Sequence, residues 1–386
     1  MKRLVAAAVL VAASAGAWRA VRLVWAEFVF RKGDEQNIRR AIALEPGRAE
    51  YRIALADLLG PEGIDELERA VELNPWNAGT LIELGVRAEM RGDVDEAERL
   101  LLQAAHVNRT YDPCWALANF YYRKGASREF WIWAQRAAEM AHSNTAPLFR
   151  LMWNMGGADA NRWIPPKPEL ERKYLVFLLS TGRLDAAVGM AARLRERASP
   201  EDQAALLAYC EHLIRAGRAA EAAPVWNEIV SHEKRIGSTG LVDGVFRQAP
   251  TSRGFDWRLP QIMGVNSVLD GAALRIEYTG RQPERCEGLY QYLLLEPDRK
   301  YRLVWEYRTR EIPAKSGLKW RVMDGSGVLA ESGDLASEEW AHGETTFEVL
   351  SVKGAPRLAL FYQRAKGTKR IEGAIWLRNI ALEVAP

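Results

Sequence analysis

"GLVDGVFRQAPTSRGFDW", residues 240–257, is where this chain changes its spacing. Upstream, Ala, Leu, Glu and Arg recur at intervals of three and four. Downstream, short runs alternate apolar and polar residues. In "KYRLVWEYRTRE" (300–311), Tyr301, Leu303, Trp305 and Tyr307 share one face, and Arg302, Val304, Glu306, Arg308 and Arg310 share the other. A period near 3.6 is that of a helix with one buried stripe, and a period of two is that of a half-buried strand. The chain is therefore expected to be helical before this stretch and all-β after it.

Further runs of period two are "ALRIEYT" (273–279), "LYQYLLLE" (289–296), "LKWRVMD" (318–324), "TTFEVLSV" (345–352), "RLALFYQR" (357–364) and "AIWLRNIALEV" (374–384). Glu296-Pro297-Asp298, Asp324-Gly325 and Lys366-Gly367 punctuate them as turns. Seven or more short strands without an intervening helix read as a β-sandwich.

The chain has 386 residues, enough for two or three domains at about 150 each. Its 48% hydrophobic and 27% charged content is that of a globular protein, not a disordered one. A net charge of +3 gives no argument for nucleic acid as a partner. Cys114, Cys210 and Cys286 are far apart and odd in number, which fits buried reduced thiols and neither a disulfide framework nor a zinc site.

At the N-terminus, Lys2 and Arg3 precede an apolar run from Leu4 to Trp18, the pattern of an export signal, with Ala15-Gly16-Ala17 as a cleavage site. The run is shorter than the roughly 20 residues that span a bilayer. The following "WRAVRLVWAEFVF" (18–30) is also apolar apart from Arg19, Arg22 and Glu27, and could lie along a membrane surface. Residues 1–30 thus read as a signal peptide or a retained membrane anchor. Either reading places the bulk of the chain outside the cytoplasm, periplasmic or otherwise extracytoplasmic.

In "AGTLIELGVRAEMRGDVDEAERLLLQAAHVNRT" (78–110), Leu81, Leu84 and Ala88 share a face of one helix. Ala97, Leu101 and Ala104 share a face of the next, after a turn at Arg91-Gly92-Asp93, and Gly85 and Ala97 are small where the two approach. This resembles the tetratricopeptide repeat, a helix–turn–helix of about 34 residues. "AIALEP" (41–46) and "AVELNP" (70–75) end earlier units, one of them contracted around "GPEG" (60–63). In 111–144, Trp115, Tyr122, Gly125 and Ala138 keep the pattern, but Trp131 and Trp133 stand where small residues belong. "GADANRWIPPKPE" (157–169) interrupts as a loop, because Pro165, Pro166 and Pro168 cannot continue a helix. Two more units, 172–194 and 205–230, have Gly182 and Gly217 in register, with Ala187 and Ala222 following each. About five to six helix pairs make an α-solenoid over 31–236, and the resemblance implies a groove for a protein partner. Trp115, Tyr122, Trp131 and Trp133 either line that groove or fill the space between repeats.

From 237 to 386 the ordered set "DGVFRQ", "GFDW", "LEPDRKYRLVWEYR" and "GAIWLRNIALE" resembles the jelly-roll carbohydrate-binding modules of the galactose-binding-like superfamily. The resemblance makes Val242 and Phe246 core residues of a first strand, gives Gly244 the close turn, and sets Trp257 at one end of the sandwich. It also implies carboxylates that can hold a structural calcium. Arg247 and Arg378 stand there instead, and calcium needs oxygen ligands, so no metal is expected. Repeats and such a module behind an export signal also resemble periplasmic proteins of exopolysaccharide assembly and exosortase-type sorting.

Strand parity locates a glycan face. Leu358, Leu360 and Tyr362 point inward, with Phe361 and Gln363 outward. Ile375 and Leu377 point inward, with Trp376 and Arg378 outward. Leu318, Trp320 and Val322 point inward, with Lys319 and Arg321 outward. Trp376, Phe361, Gln363, Glu306, Arg308, Arg321 and Arg378 are therefore the expected ligand-binding residues. The rings would stack on sugar C–H faces and the guanidinium groups would favour an acidic polysaccharide. The alternative is that these residues cover the sandwich against a neighbouring element.

No HExxH, GxSxG, P-loop or CxxC motif occurs, and His342 in "EEWAHGE" is the sole histidine after residue 240. The sequence reads as an exported, non-catalytic binding or scaffold protein without a cofactor; the alternatives are a pure protein-interaction scaffold with the sandwich as a structural module, and a glycan-active lyase or hydrolase, whose carboxylate pair no recognisable motif supplies.

Overall fold

The computed structural model describes residues 2–142, 144–197, 199–237, 240–325 and 327–385, of which 2–9 and 11 are described in backbone only. The charged start of the expected signal, Lys2 and Arg3, and its apolar run through Val9 lie outside the described side chains.

The helices run in antiparallel pairs: α1 (Lys2–Phe30) and α2 (Glu35–Leu44), α3 (Ala49–Leu59) and α4 (Ile64–Leu73), α5 (Ala78–Met90) and α6 (Val94–Val107), α7 (Tyr111–Lys124) and α8 (Ser127–Met140). Then follow α9 (Ala146–Gly156), α10 (Pro168–Ser180), α11 (Leu184–Arg197), α12 (Gln203–Arg215) and α13 (Ala219–Ile229). Asp34, Asn77 and Asp93 each accept a backbone N–H two or three residues into the helix they open, satisfying a donor the helix cannot. The stripes read from the sequence are the buried ones: Leu81, Leu84 and Ala88 on α5, and Ala97, Leu101 and Ala104 on α6.

The first pair begins earlier than the sequence suggested. The last turns of α1 are a repeat helix, with Ala26 and Val29 buried and Phe30 packed on Tyr51 at 4.5 Å between ring centroids. Arg22 bonds Glu45 at 2.9 Å across the pair. The anomaly at Trp131 also resolves. Its ring stacks on Trp163 at 5.2 Å, and it lies against Gly156, where any Cβ would enter the ring. Trp131 is thus a filler between α8 and the segment after α9, and 157–163 is a 3₁₀ turn instead of open loop.

The strands form two antiparallel sheets. One has the order β1 (Val265–Asp270), β2 (Ala273–Thr279), β9 (Glu372–Val384), β4 (Arg299–Arg310), β7 (Ala341–Val349). The other has the order β3 (Arg285–Tyr292), β8 (Arg357–Gln363), β5 (Leu318–Asp324), β6 (Gly327–Glu331). Tyr301, Leu303, Trp305, Ile375 and Leu377 from the first meet Leu318, Trp320, Val322, Leu358, Leu360 and Tyr362 from the second in one core. Every inward assignment made from parity is therefore correct. β1 and β6 were not read from the sequence. Both are edge strands, and their exposed residues carry no alternation.

The opening stretch is not a strand. Val242 and Phe246 are buried, but 240–250 is irregular, with Asp243 and Phe246 at φ 44° and 53°. Gln291 bonds both backbone groups of Val242 at 2.9 Å and so replaces a ladder. Trp257 is fully buried against Phe246 and Trp320.

The chain divides into two compact units, Met1–Leu170 and Glu171–Pro386. The last α-helix ends at Ile229 and the first strand begins at Val265, and the unit holding the strands also holds most of α10 and all of α11 to α13. "GFDW" joins them. Glu211 of α12 accepts from Arg258 at 2.7 Å and from the Gly254 N–H at 2.5 Å. Phe255 packs edge-on to Trp226 of α13 at 6.2 Å.

Candidate functional site

Three surfaces carry the residues singled out above. The first belongs to the repeats. Ile82, Val86, Glu89 and Met90 of α5 and Trp115, Ala116, Asn119 and Arg123 of α7 line a groove of about 560 Å³. Both are the first helices of consecutive pairs, so the groove repeats the superhelical step. Its floor is apolar, Met90 is 82% exposed, and Trp115 is half-buried beside Tyr111 at 6.1 Å. Glu89 and Arg123 close one side with two bonds of 2.6 Å. Of the four aromatics named from sequence, Trp115 lines this groove. Trp131 fills the core, Trp133 lies under Arg136 at 4.5 Å, and Tyr122 packs near Phe130.

The second surface is the outer face of the five-stranded sheet. Across it Arg275, Trp376 and Arg308 are register partners on β2, β9 and β4, with Arg378 opposite Glu306 in the row beside them. Trp376 points outward as parity requires, but it is only 7% exposed. Arg308 lies over its ring at 4.6 Å and Arg310 at 5.8 Å. Trp340 continues the stack, with Arg308 at 5.3 Å and Arg378 at 3.8 Å. The Trp376 indole N–H donates to Asp270 at 2.7 Å. Glu306 accepts from Asn379 at 2.9 Å and from Arg378 at 2.8 Å. The Asn379 bond, helped by Arg378 against a partial desolvation, holds the Glu306 carboxyl below the ordinary range. Among the described residues, no carboxylate lies within 4 Å of Arg308, and the nearest to Arg310 is Glu311 at 4.0 Å. The Arg308 charge has no carboxylate partner among the described residues, and the Arg310 charge meets only its exposed sequence neighbour Glu311.

The third surface is the outer face of the four-stranded sheet. Phe361 is 1% exposed, sandwiched by Arg321 at 3.7 Å and Arg285 at 5.3 Å. Arg321 and Lys319 both bond Glu331, and Gln363 is exposed at the end of β8.

The seven expected residues therefore do not form one face. Glu306, Arg308, Trp376 and Arg378 lie on one side of the sandwich, and Arg321, Phe361 and Gln363 on the other, separated by both sheets and the core. Parity distinguishes in from out but not which sheet a strand joins. The rings are also not open platforms: neighbouring guanidinium groups cover them. Part of the four-stranded face is an internal junction, where Arg258 lies over Tyr292 at 5.0 Å and Tyr290 at 5.9 Å while bonded to Glu211 of α12. Sequence reasoning missed Trp340, which sits outside any alternating run.

Among the described residues no group of three or more His, Cys, Asp or Glu could hold a metal ion. The Asp243 carboxylate caps the backbone N–H of Arg247 at 2.9 Å, and Arg378 is held by Glu306. His342 is exposed, 3.6 Å from Glu306.

Solved structures similar to parts of this chain include a CBM4 protein, 10% identical over 38% of this chain and 99% of that chain, with a TM-score of 0.31. YrrB, described as a TPR protein with an unusual peptide-binding site, is 16% identical over 51% of this chain and 92% of that one, with a TM-score of 0.27. The APC/C hetero-tetramer Cut9–Hcn1 is 14% identical over 46% and 38%, with a TM-score of 0.28. No family model matches the sequence, and no curated protein matches it.

Proposed function

We propose that this chain is an exported, non-catalytic binding scaffold, which holds a protein segment on its repeats and an acidic polysaccharide on its sandwich. The observation that carries the reading is the open groove between α5 and α7. An apolar floor left exposed by two helices of a stable solenoid, with a charged pair at its side, suits an extended or helical peptide. The glycan half is supported by Arg308, which has no carboxylate partner among the described residues, and by Arg310, which meets only the exposed Glu311, both on an aromatic backing. A role in exopolysaccharide assembly or export follows from that ligand and from the signal-like N-terminus.

Panning a displayed peptide library on the full chain tests the first half. Binders should compete with one another and lose the chain when Met90→Glu and Trp115→Ala are introduced; binders indifferent to both variants would place the partner elsewhere. Affinity electrophoresis tests the second half. Polygalacturonate should retard the full chain where dextran does not, and loss of this difference in Arg308→Gln/Arg310→Gln would locate it. A chain retarded by neither polymer leaves the sandwich as a structural module, a reading that the covering of Trp376 and Phe361 favours.

A further inference from the structure

The last four turns of α1 have two apolar faces, and only one of them is covered. Ala26 and Phe30 pack toward α2 and α3, and Val29 is buried. On a helix advancing 100° per residue, Trp18, Val21, Val24, Trp25 and Phe28 fall within one third of the circumference on the other side. Their exposures are 70%, 62%, 70%, 56% and 55%, and Leu10, also open, lies on the same side two turns earlier. Trp25 and Phe28 stack at 5.5 Å, and the Lys32 ammonium sits 5.4 Å from the Phe28 ring. A contiguous apolar strip of this length on a soluble surface marks an interaction site.

Charge identifies the occupant. Residues 1–50 carry nine Lys and Arg against five Asp and Glu, so they hold a net +4, while the whole chain holds +3. The rest of the chain is thus almost neutral, and the cationic excess is concentrated around this one helix. Among the described residues, no helix is long and apolar enough to cross a membrane. An apolar strip bearing tryptophans, with cations around it, matches the interfacial layer of an anionic bilayer.

We propose that the Trp18–Phe28 face of α1 docks the repeats onto an anionic lipid surface. The inference does not depend on the fate of the signal-like segment. Cleavage after Ala17 would remove Lys2 and Arg3 but leave seven Lys and Arg against five Asp and Glu over 18–50, and it would leave Trp18 to Phe30 in place, because these residues belong to the first helix pair through Arg22–Glu45 and Phe30–Tyr51. Nor does it depend on the ligands of the groove or the sandwich.

The test is co-flotation of the full chain with phosphatidylcholine vesicles, with and without phosphatidylglycerol. The chain should float with the mixed vesicles, less so in high salt, and Val21→Asp/Trp25→Glu should lower the bound fraction at least tenfold while leaving the far-ultraviolet circular dichroism unchanged. Failure of the native chain to float overturns the proposal. Equal flotation of the variant also overturns it, by assigning binding to the stretch before Trp18. Light scattering settles the competing occupant: a native dimer that does not float and becomes monomeric in the variant would mean that a second copy covers the face.

Discussion

The Lys234 ammonium lies 2.6 Å from Oδ2 of Asp256, with the two side chains 8% and 1% exposed. Thr251 donates to the same carboxylate oxygen through its N–H and hydroxyl at 2.8 and 2.7 Å, and the Ala249 carbonyl accepts from Lys234 at 3.3 Å. The lysine comes from the segment after α13 and the aspartate from "GFDW", so the pair closes the junction between helices and sandwich. A buried pair with satisfied neighbours is tolerated, but one partner left alone is not. Lys234→Met should therefore lower stability by about 3 kcal/mol, and Asp256→Asn by a similar amount. In a urea-unfolding double-mutant cycle the two losses should fall well short of adding. Additive losses would show that the pair does not act as a unit.

Gly254 has φ +51°, and a side chain there would overlap the Trp226 ring. Both the left-handed backbone and the lack of room require glycine. Gly254→Ala should lower stability by about 2 kcal/mol or more, in contrast to Gly271→Ala at an open turn, which pays only the backbone strain. Thermal unfolding of the two variants side by side checks this, and equal effects would remove the steric part of the argument.

The sequence carries the architecture because burial imposes a period. Tyr301, Leu303 and Trp305 alternate since one face of β4 meets the core, and Leu81, Leu84 and Ala88 recur since one stripe of α5 meets α6. Where burial imposes no period, the reading fails. β1 and β6 have one open edge each, and 240–250 is fixed by Gln291 and Asp243 instead of by a ladder. The candidate site is less legible for a different reason. Trp376 and Phe361 both point outward, but which sheet each joins depends on pairings between strands as distant as β2 and β9. Their covering by Arg308 and Arg321 arises from side chains on neighbouring strands, which no single run displays.

Asp202, fully buried at the start of α12, is bonded by Arg172 at 2.9 Å and Arg197 at 2.8 Å, and Arg197 also reaches the buried Glu171 at 2.6 Å. Burial by itself would raise the Asp202 carboxyl, but the hydrogen bonds from Arg197 and Arg172 outweigh it and hold it below the ordinary value. A carboxyl depressed in the folded state stabilises the fold above its unfolded pKa and loses that contribution as pH falls through its folded pKa. Urea midpoints should thus fall below about pH 4, where an unfolded aspartate begins to take up its proton. Asp202→Asn should be less stable at neutral pH and show a flatter acid limb. An unchanged limb would mean that other carboxyls govern acid unfolding.

Burial pushes the Cys210 thiol up to about 12 and the Cys286 thiol to about 11, and raises Cys114 as well. Cys210 also lies 3.4 Å from the Ala222 carbonyl, between α12 and α13. Since the thiolate is the reactive form, iodoacetamide at about pH 8 should leave Cys210 unmodified in the folded chain and label all three cysteines in urea. Mass spectrometry of the alkylated peptides reads this directly, and rapid native labelling of Cys210 would show that the α12–α13 packing opens readily.

Trp376 and Arg308 test the sandwich face by different routes, because one is structural backing and the other is free charge. Trp376 is packed with Ala273 and Ala374 and bonded to Asp270, so Trp376→Ala should lower stability by about 3 kcal/mol whatever the face binds. Loss of glycan retention in that variant would not separate unfolding from loss of contact. Arg308→Gln removes a guanidinium that stacks between two indoles and has no carboxylate partner among the described residues, so its effect on stability should be only about 1 kcal/mol. If the face takes an acidic polymer, Arg308→Gln and Arg310→Gln should each weaken retention by polygalacturonate, and added salt should reduce the native affinity toward that of the variants. Retention unaltered by both arginine changes, in chains that remain folded, would exclude this face as the glycan site and leave the Phe361 side of the sandwich to be examined through Arg321→Gln.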